Sequence, residues 1–222
     1  MIITIDGPAG TGKSTVAQRV AEHIGFDFLD TGAMYRAVGF EAVRRNVNLH
    51  DARELAFVVK HCRIRFDWNQ RPPALLLNDE PVGHLLRGSE VTRAASLAAT
   101  VPAVREQLVA EQRQIGREHG NLLTEGRDQG TVVFPDAPLK VYLDATPQER
   151  ARRRVVQLRA RGEVVEPGAV LAEIIERDKR DAGRAIGPLA MPRDAVVIDT
   201  TSITQEQVVD QIVRHARARG AK

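Results

Sequence analysis

Ile2-Ile3-Thr4-Ile5-Asp6-Gly7-Pro8-Ala9-Gly10-Thr11-Gly12-Lys13-Ser14-Thr15 begins as an apolar run, passes through a glycine-rich turn and enters a helical pattern. Positions 7 to 14 match G-x-x-x-x-G-K-[ST], directly after a predicted strand and before a predicted helix. Glycines let the backbone turn its N–H groups inward around phosphate oxygens, and the following helix adds the positive end of its dipole. Gly7, Pro8, Ala9, Gly10, Thr11, Gly12, Lys13, Ser14 and Thr15 are therefore expected to cradle a nucleoside triphosphate. Lys13 would lie along the β- and γ-phosphates, and the Ser14 hydroxyl would ligate Mg²⁺.

Four further apolar runs fit buried parallel strands: Phe26 to Leu29, Asn121 to Thr124, Leu139 to Leu143 and Ala195 to Ile198. Helical patterns follow each, so the expected fold is α/β, a parallel P-loop sheet with helices on both faces. Thr146-Pro147-Gln148-Glu149 and Thr204-Gln205-Glu206-Gln207 read as capping boxes. Residues 62–83 break the alternation. Cys62 to Trp68 and Ala74 to Asn78 read as short strands around Asn69-Gln70-Arg71-Pro72-Pro73, with a second turn at Asn78-Asp79-Glu80-Pro81. Helices are expected at about 51–61 and 89–99, behind the N-caps Asp51 and Ser89. The insert is too small to bury a core of its own. One domain is expected, with a core over about 1–35, 100–149 and 185–222, a region over about 36–99 that carries the insert and a short helical lid over about 150–166.

The composition narrows the function classes. With 222 residues, 43% hydrophobic and 27% charged, the chain can build one sizeable core and is not a disordered one. A net charge of +3 does not by itself indicate a nucleic-acid partner. The single cysteine, Cys62, excludes an intramolecular disulfide and any multi-cysteine zinc site, and reads as a buried structural thiol. No apolar run approaches the length of a membrane span, and the N-terminus enters a strand with no basic leader. The expectation is a soluble cytoplasmic monomer with no membrane and no nucleic-acid partner.

A P-loop leaves the phosphoryl acceptor open. The Asn-Lys-x-Asp base reader of GTPases is absent, whereas arginines that suit an anionic acceptor are present. Leu29-Asp30-Thr31-Gly32-Ala33-Met34-Tyr35-Arg36 lies at a strand's carboxyl end, where α/β sheets form their ligand crevice. Glu125-Gly126-Arg127-Asp128-Gln129-Gly130 follows another strand, and Glu125 is placed to touch the magnesium hydration shell. Six arginines fall between Arg150 and Arg161, a pattern that fits a lid closing on ATP phosphates and fits RNA as well. Arg177 to Arg184 mixes signs and ends in a flexible Ala-Gly, more like a hinge and clamp than a nucleic-acid groove.

Taken together these motifs resemble the bacterial-type cytidylate kinases, over essentially the whole chain: I-D-G-P-A-G-T-G-K-S-T, L-D-T-G-A-M-Y-R, G-R-D-Q-G-T-V-V-F-P-D-A, E-R-A-R-R-R and R-D-x-R-D-x-x-R. The resemblance implies phosphoryl transfer from ATP, with Mg²⁺, to CMP or dCMP, and makes the region over about 36–99, with its small antiparallel insert, the monophosphate-binding region. It implies that Ser96, Arg105 and Asp128 read cytosine, a set that donates to N3 and O2 and accepts from the N4 amino group. It places Arg36, Arg127 and Arg184 on the acceptor phosphate, Arg177 and Asp181 on the sugar, and Thr31 and Tyr35 beside the acceptor. Arg150 and Arg154 resemble lid arginines that bind ATP and neutralise charge on the transferring group. Lys13, Arg127, Arg154 and Arg184 would be the catalytic set. A P-loop protein that binds RNA, and a kinase for UMP or shikimate, are the alternatives.

Overall fold

A computed structural model describes residues 1–221, which divide into two compact units: Met1–Phe26 with the chain from Leu123 on, and Asp27–Leu122. The chain begins with β1 (Ile2–Asp6) and α1 (Lys13–Ile24). The second unit then supplies β2 (Asp27–Asp30), α2 (Thr31–Arg44), α3 (Ala52–Lys60), β3 (Ile64–Asp67), β4 (Ala74–Leu77), β5 (Glu80–Pro81), α4 (Ser89–Ala98) and α5 (Pro102–Glu118). After these come β6 (Leu122–Gly126), β7 (Leu139–Asp144), α6 (Pro147–Arg159), α7 (Pro167–Ala182), β8 (Val196–Asp199) and α8 (Gln205–Arg217).

The main sheet is parallel, five-stranded and ordered β2-β6-β1-β7-β8, so all five strands expected from apolar runs are present. Ile3, Ile5, Leu139, Val141 and Leu143 are fully or almost fully buried, the burial expected of parallel strands covered on both faces. In register, Thr4 faces Lys140 and Asp6 faces Tyr142. Lys140 can sit in this strand because Asp194 accepts both its bonds, at 2.9 and 3.0 Å. α8 starts with the full capping box at Thr204 and buries Val208, Val209, Ile212 and Ala216. α6 and α7 form a hairpin closed by Ala151, Val155, Leu158, Val170 and Ile174. No helix among the described residues is long and apolar enough to cross a membrane.

In the second unit, α2 packs tightly on α4 at Gly39, where a Cβ would lie 2.6 Å from Ala95 N. β3, β4 and β5 form the small antiparallel sheet expected of the insert. Its second turn uses Asn78 and Asp79 at positive φ, the conformation of a tight hairpin, and so adds the third strand that the sequence reading gave as turn. Cys62 is buried, and burial pushes its thiol up to about 12, as a structural thiol requires.

Two caps differ from expectation. The residue flanking α4 is Gly88, and Ser89 is the first helical residue, so Ser89 does not cap. At α6, Thr146 Oγ1 accepts from Glu149 N, but the box is only half made. The Glu149 carboxylate is drawn instead to Arg152 and Arg153, at 2.7 and 2.8 Å, while Thr146 N donates to Thr201 Oγ1.

Candidate active site

In the first unit the loop after β1 can turn because Gly7 carries no side chain: at φ 148° a Cβ there would fall 2.1 Å from Leu143 O. Thr200 Oγ1 ties the loop to the sheet, donating within reach of Thr11 O and Asp144 O at 3.4 and 3.0 Å. Lys13 is buried at the start of α1, and its Nζ donates to Pro8 O at 2.8 Å. Burial, then the nearby Arg127, lower its ammonium to about 7, with Glu125 acting the other way. The next residue, Ser14, donates to Glu125 Oε1 at 2.7 Å. A hydroxyl and a carboxylate are hard oxygen donors of the kind Mg²⁺ takes alongside phosphates and water, so this pair fits the ion. No group of three or more His, Cys, Asp or Glu side chains that could hold a metal ion lies among the described residues.

A second cluster gathers on Asp181, a carboxylate buried at 1% exposure. Arg127 Nε donates to it at 2.9 Å, Arg184 donates to its other oxygen, and Arg177 lies at 3.9 Å. Burial would raise this carboxyl, but Arg127, Arg184 and Arg177 outweigh it and hold it below the usual range. Three guanidiniums thus converge on one carboxylate, with Lys13 near Arg127 and Arg177, and with Glu125 and Asp178 as further acidic neighbours of Arg127. Guanidinium forks gathered in this way suit the oxygens of an anion such as a phosphate. Asp128, the residue after Arg127, is buried at the head of the π-helical turn Gln129–Val133.

The arginine run of α6 is largely committed within the fold. Arg150 is 3% exposed; it donates to Ala145 O and Ala9 O at 2.9 and 3.1 Å and pairs with Asp178 at 2.7 Å, which links the P-loop to α7. Arg152 and Arg153 share Glu149, whose carboxyl they lower to about 2. Arg154 differs: it forms no hydrogen bond or ion pair among the described residues, and burial followed by Arg161 lowers its guanidinium. An uninterrupted basic face for RNA is therefore not what this helix presents.

The second unit carries the remaining expected residues. Asp30, the N-cap of α2, accepts from Ala33 N and from Arg36 Nη2, each at 2.8 Å. Thr31 is buried beside it. Ser96 on α4 and Arg105 on α5 are buried, and the Arg105 guanidinium stands 5.7 Å from the centre of the Tyr35 ring on α2. A separate cavity of about 150 Å³ in this unit is lined by Phe40, Arg44, Leu77 and Val82, none of them an expected site residue. The sequence reading gave no role to Asp30 or Asp6. The signal for Asp30 was there, a capping residue with an arginine six positions later.

The cytidylate kinase family model matches residues 3–218. The cytidylate kinase of Pseudomonas aeruginosa (strain UCBPP-PA14) is 43% identical, over 99% of this chain and 96% of that protein. That of Enterobacter sp. (strain 638) is 43% identical over 97% and 95%. Among solved structures, TT1252 from Thermus thermophilus aligns over 100% of this chain and 98% of its own, at TM-score 0.50 and 17% identity. Shikimate kinase from Bacteroides thetaiotaomicron aligns over 98% and 96%, at TM-score 0.50 and 13% identity. At these identities the two structures speak for the fold alone.

Proposed function

We infer the part each residue plays from one premise: the chain belongs to the cytidylate kinase family. It is a (d)CMP kinase, transferring the γ-phosphoryl of ATP to CMP or dCMP to give ADP and CDP or dCDP. In the proposed mechanism the P-loop N–H groups and Lys13 hold the ATP phosphates, and Ser14, hydrogen-bonded to Glu125, would hold Mg²⁺ with it. Bound there, Mg²⁺ would supply charge neutralisation to the phosphates.

Arg127 and Arg184 orient the acceptor phosphate, with Arg36 contributing a third guanidinium fork. Arg177 and Asp181 take the sugar. Ser96, Arg105 and Asp128 read cytosine, and Tyr35 backs Arg105 through its ring. Thr31 lies beside the acceptor. Arg154 closes on the transferring group. Arg150 is better described as a strut, since its donors already reach Ala9 O, Ala145 O and Asp178. No general base is required, because the attacking oxygen belongs to a phosphate already ionised near neutral pH. Catalysis is then positioning and electrostatics in a site that excludes water.

The observation that carries these assignments is the convergence of Arg127, Arg177 and Arg184 on Asp181. The experiment is ADP formation from Mg-ATP with CMP, dCMP, UMP, AMP and GMP offered singly. Turnover led by CMP and dCMP supports the cytosine readers. Turnover led by UMP removes those assignments, since uracil presents O4 and N3–H to the same groups.

A further inference from the structure

Asp6 is the last residue of β1, fully buried, and belongs to no part of the mechanism above. Each of its carboxylate oxygens accepts one backbone bond: Oδ1 from Gln129 N at 2.9 Å and Oδ2 from Gly130 N at 2.7 Å. These are the first two N–H groups of the π-helical turn Gln129–Val133, whose early donors have no partner inside the turn. Gln129 is gripped from a second strand as well, its Oε1 accepting from Thr124 Oγ1 on β6 at 2.9 Å. Asp128 and Arg127 are the two residues immediately before this anchored pair. Asp128 itself makes no side-chain cap to the turn.

A carboxylate is costly to bury unless both oxygens are satisfied, and here they are satisfied by a single feature, the head of this turn. We propose that Asp6 is a positioning residue: through its two backbone bonds it fixes the direction in which Arg127 and Asp128 are presented to the acceptor. β1 then serves two ends at once, since the residue after Asp6 opens the P-loop. The consequence for acceptor selection rests on the reading of Asp128 as a base reader; the anchoring itself does not.

The test is Asp6→Asn, which keeps the shape but turns one acceptor into an NH₂ group facing a backbone N–H. The expected results are a KM for CMP raised at least about tenfold, as for the loss of one charge-assisted bond, and a smaller CMP-over-UMP ratio of kcat/KM. The KM for ATP should move no more than about threefold. A simple loss of folded enzyme would lower the rate with both acceptors equally and leave their ratio unchanged. Unchanged CMP KM and unchanged discrimination overturn the proposal.

Amide exchange separates the two layers. Acceleration of at least about tenfold at Gln129 and Gly130 supports the anchoring even if Asp128→Asn, measured in parallel, shows no role in base reading. Unchanged protection overturns it whatever Asp128→Asn shows. Should Asp6→Asn not accumulate as folded protein, the wild-type enzyme with CMP bound serves instead. Through-hydrogen-bond couplings from the Gln129 and Gly130 amide nitrogens to the Asp6 carboxyl carbon are expected, and the absence of either overturns the proposal.

Discussion

Lys13 and Arg105 are both buried cations in the reading of a nucleotide-binding enzyme, yet they are held by different means. Lys13 sits in a loop that one contiguous motif builds, its Nζ on the Pro8 carbonyl and its neighbours Arg127, Glu125 and Asp6 delivered by strand ends. Arg105 sits on α5, with its ring partner Tyr35 on α2 and Ser96 on α4. The first unit thus makes its site from backbone shape and opposed charges, and the second makes its share from how helices pack. A substitution that removes charge should act most strongly in the first, and one that moves a helix should act most strongly in the second.

The largest effect is expected at Lys13. Lys13→Met should reduce turnover at least about a thousandfold, because the transition state loses its closest charge donor on the phosphates. The same variant should melt no lower than wild type at pH 7, since it replaces an ammonium that burial disfavours. A folded Lys13→Met enzyme with normal turnover breaks the account of the first unit. Next comes Arg184→Ala, at about 3 kcal/mol of transition-state stabilisation, or about a hundredfold in kcat/KM. A loss below tenfold removes Arg184 from the acceptor clamp.

Gly39→Ala tests the second unit with no change of charge. Its Cβ would meet Ala95 N at 2.6 Å and Val91 O at 3.0 Å, both backbone atoms of α4 that cannot step aside. The helices must part, at a cost of about 1–3 kcal/mol of stability. Because α4 carries Ser96 and α2 carries Tyr35, the KM for CMP should rise several-fold, and the affinity for ATP should not follow it. If ATP affinity falls as far as CMP affinity, the division between the units is wrong.

These differences also explain what the sequence shows and what it hides. The P-loop is legible because its chemistry occupies consecutive positions, and the strands are legible because parallel burial leaves continuous apolar runs. Asp51 caps as read, accepting from Arg53 N, with no other side-chain donor on its carboxylate among the described residues. Glu149 does not complete its box because two arginines, at three and four positions on, offer it charged donors. β5 is two residues long and has no period to detect. Ser96 and Arg105 stand out only through the family motif, since a small polar residue among alanines and an arginine in a charged helix look like ordinary helix positions. Asp6 is hidden for another reason: its partners are backbone N–H groups 123 and 124 positions away, which leave no mark on side-chain pattern.

The smallest effect is the one that separates the two units most cleanly. With its ammonium lowered to about 7, Lys13 is mostly neutral at pH 8 in the nucleotide-free enzyme. ATP phosphates bring negative charge to it and raise it again, so ATP binding at pH 8 should take up close to one proton, and at pH 7 about half of one. CMP should behave otherwise. Its phosphate, with a second pKa near 6, is already dianionic at pH 8, and the arginines that meet it do not deprotonate, so its uptake should be about zero. Calorimetry of each nucleotide in buffers of different ionisation enthalpy reads these numbers directly. Lys13→Met should abolish the ATP-linked proton; if uptake persists in that variant, the proton belongs to another group, and Asp6, raised to about 7 by burial, is the nearest.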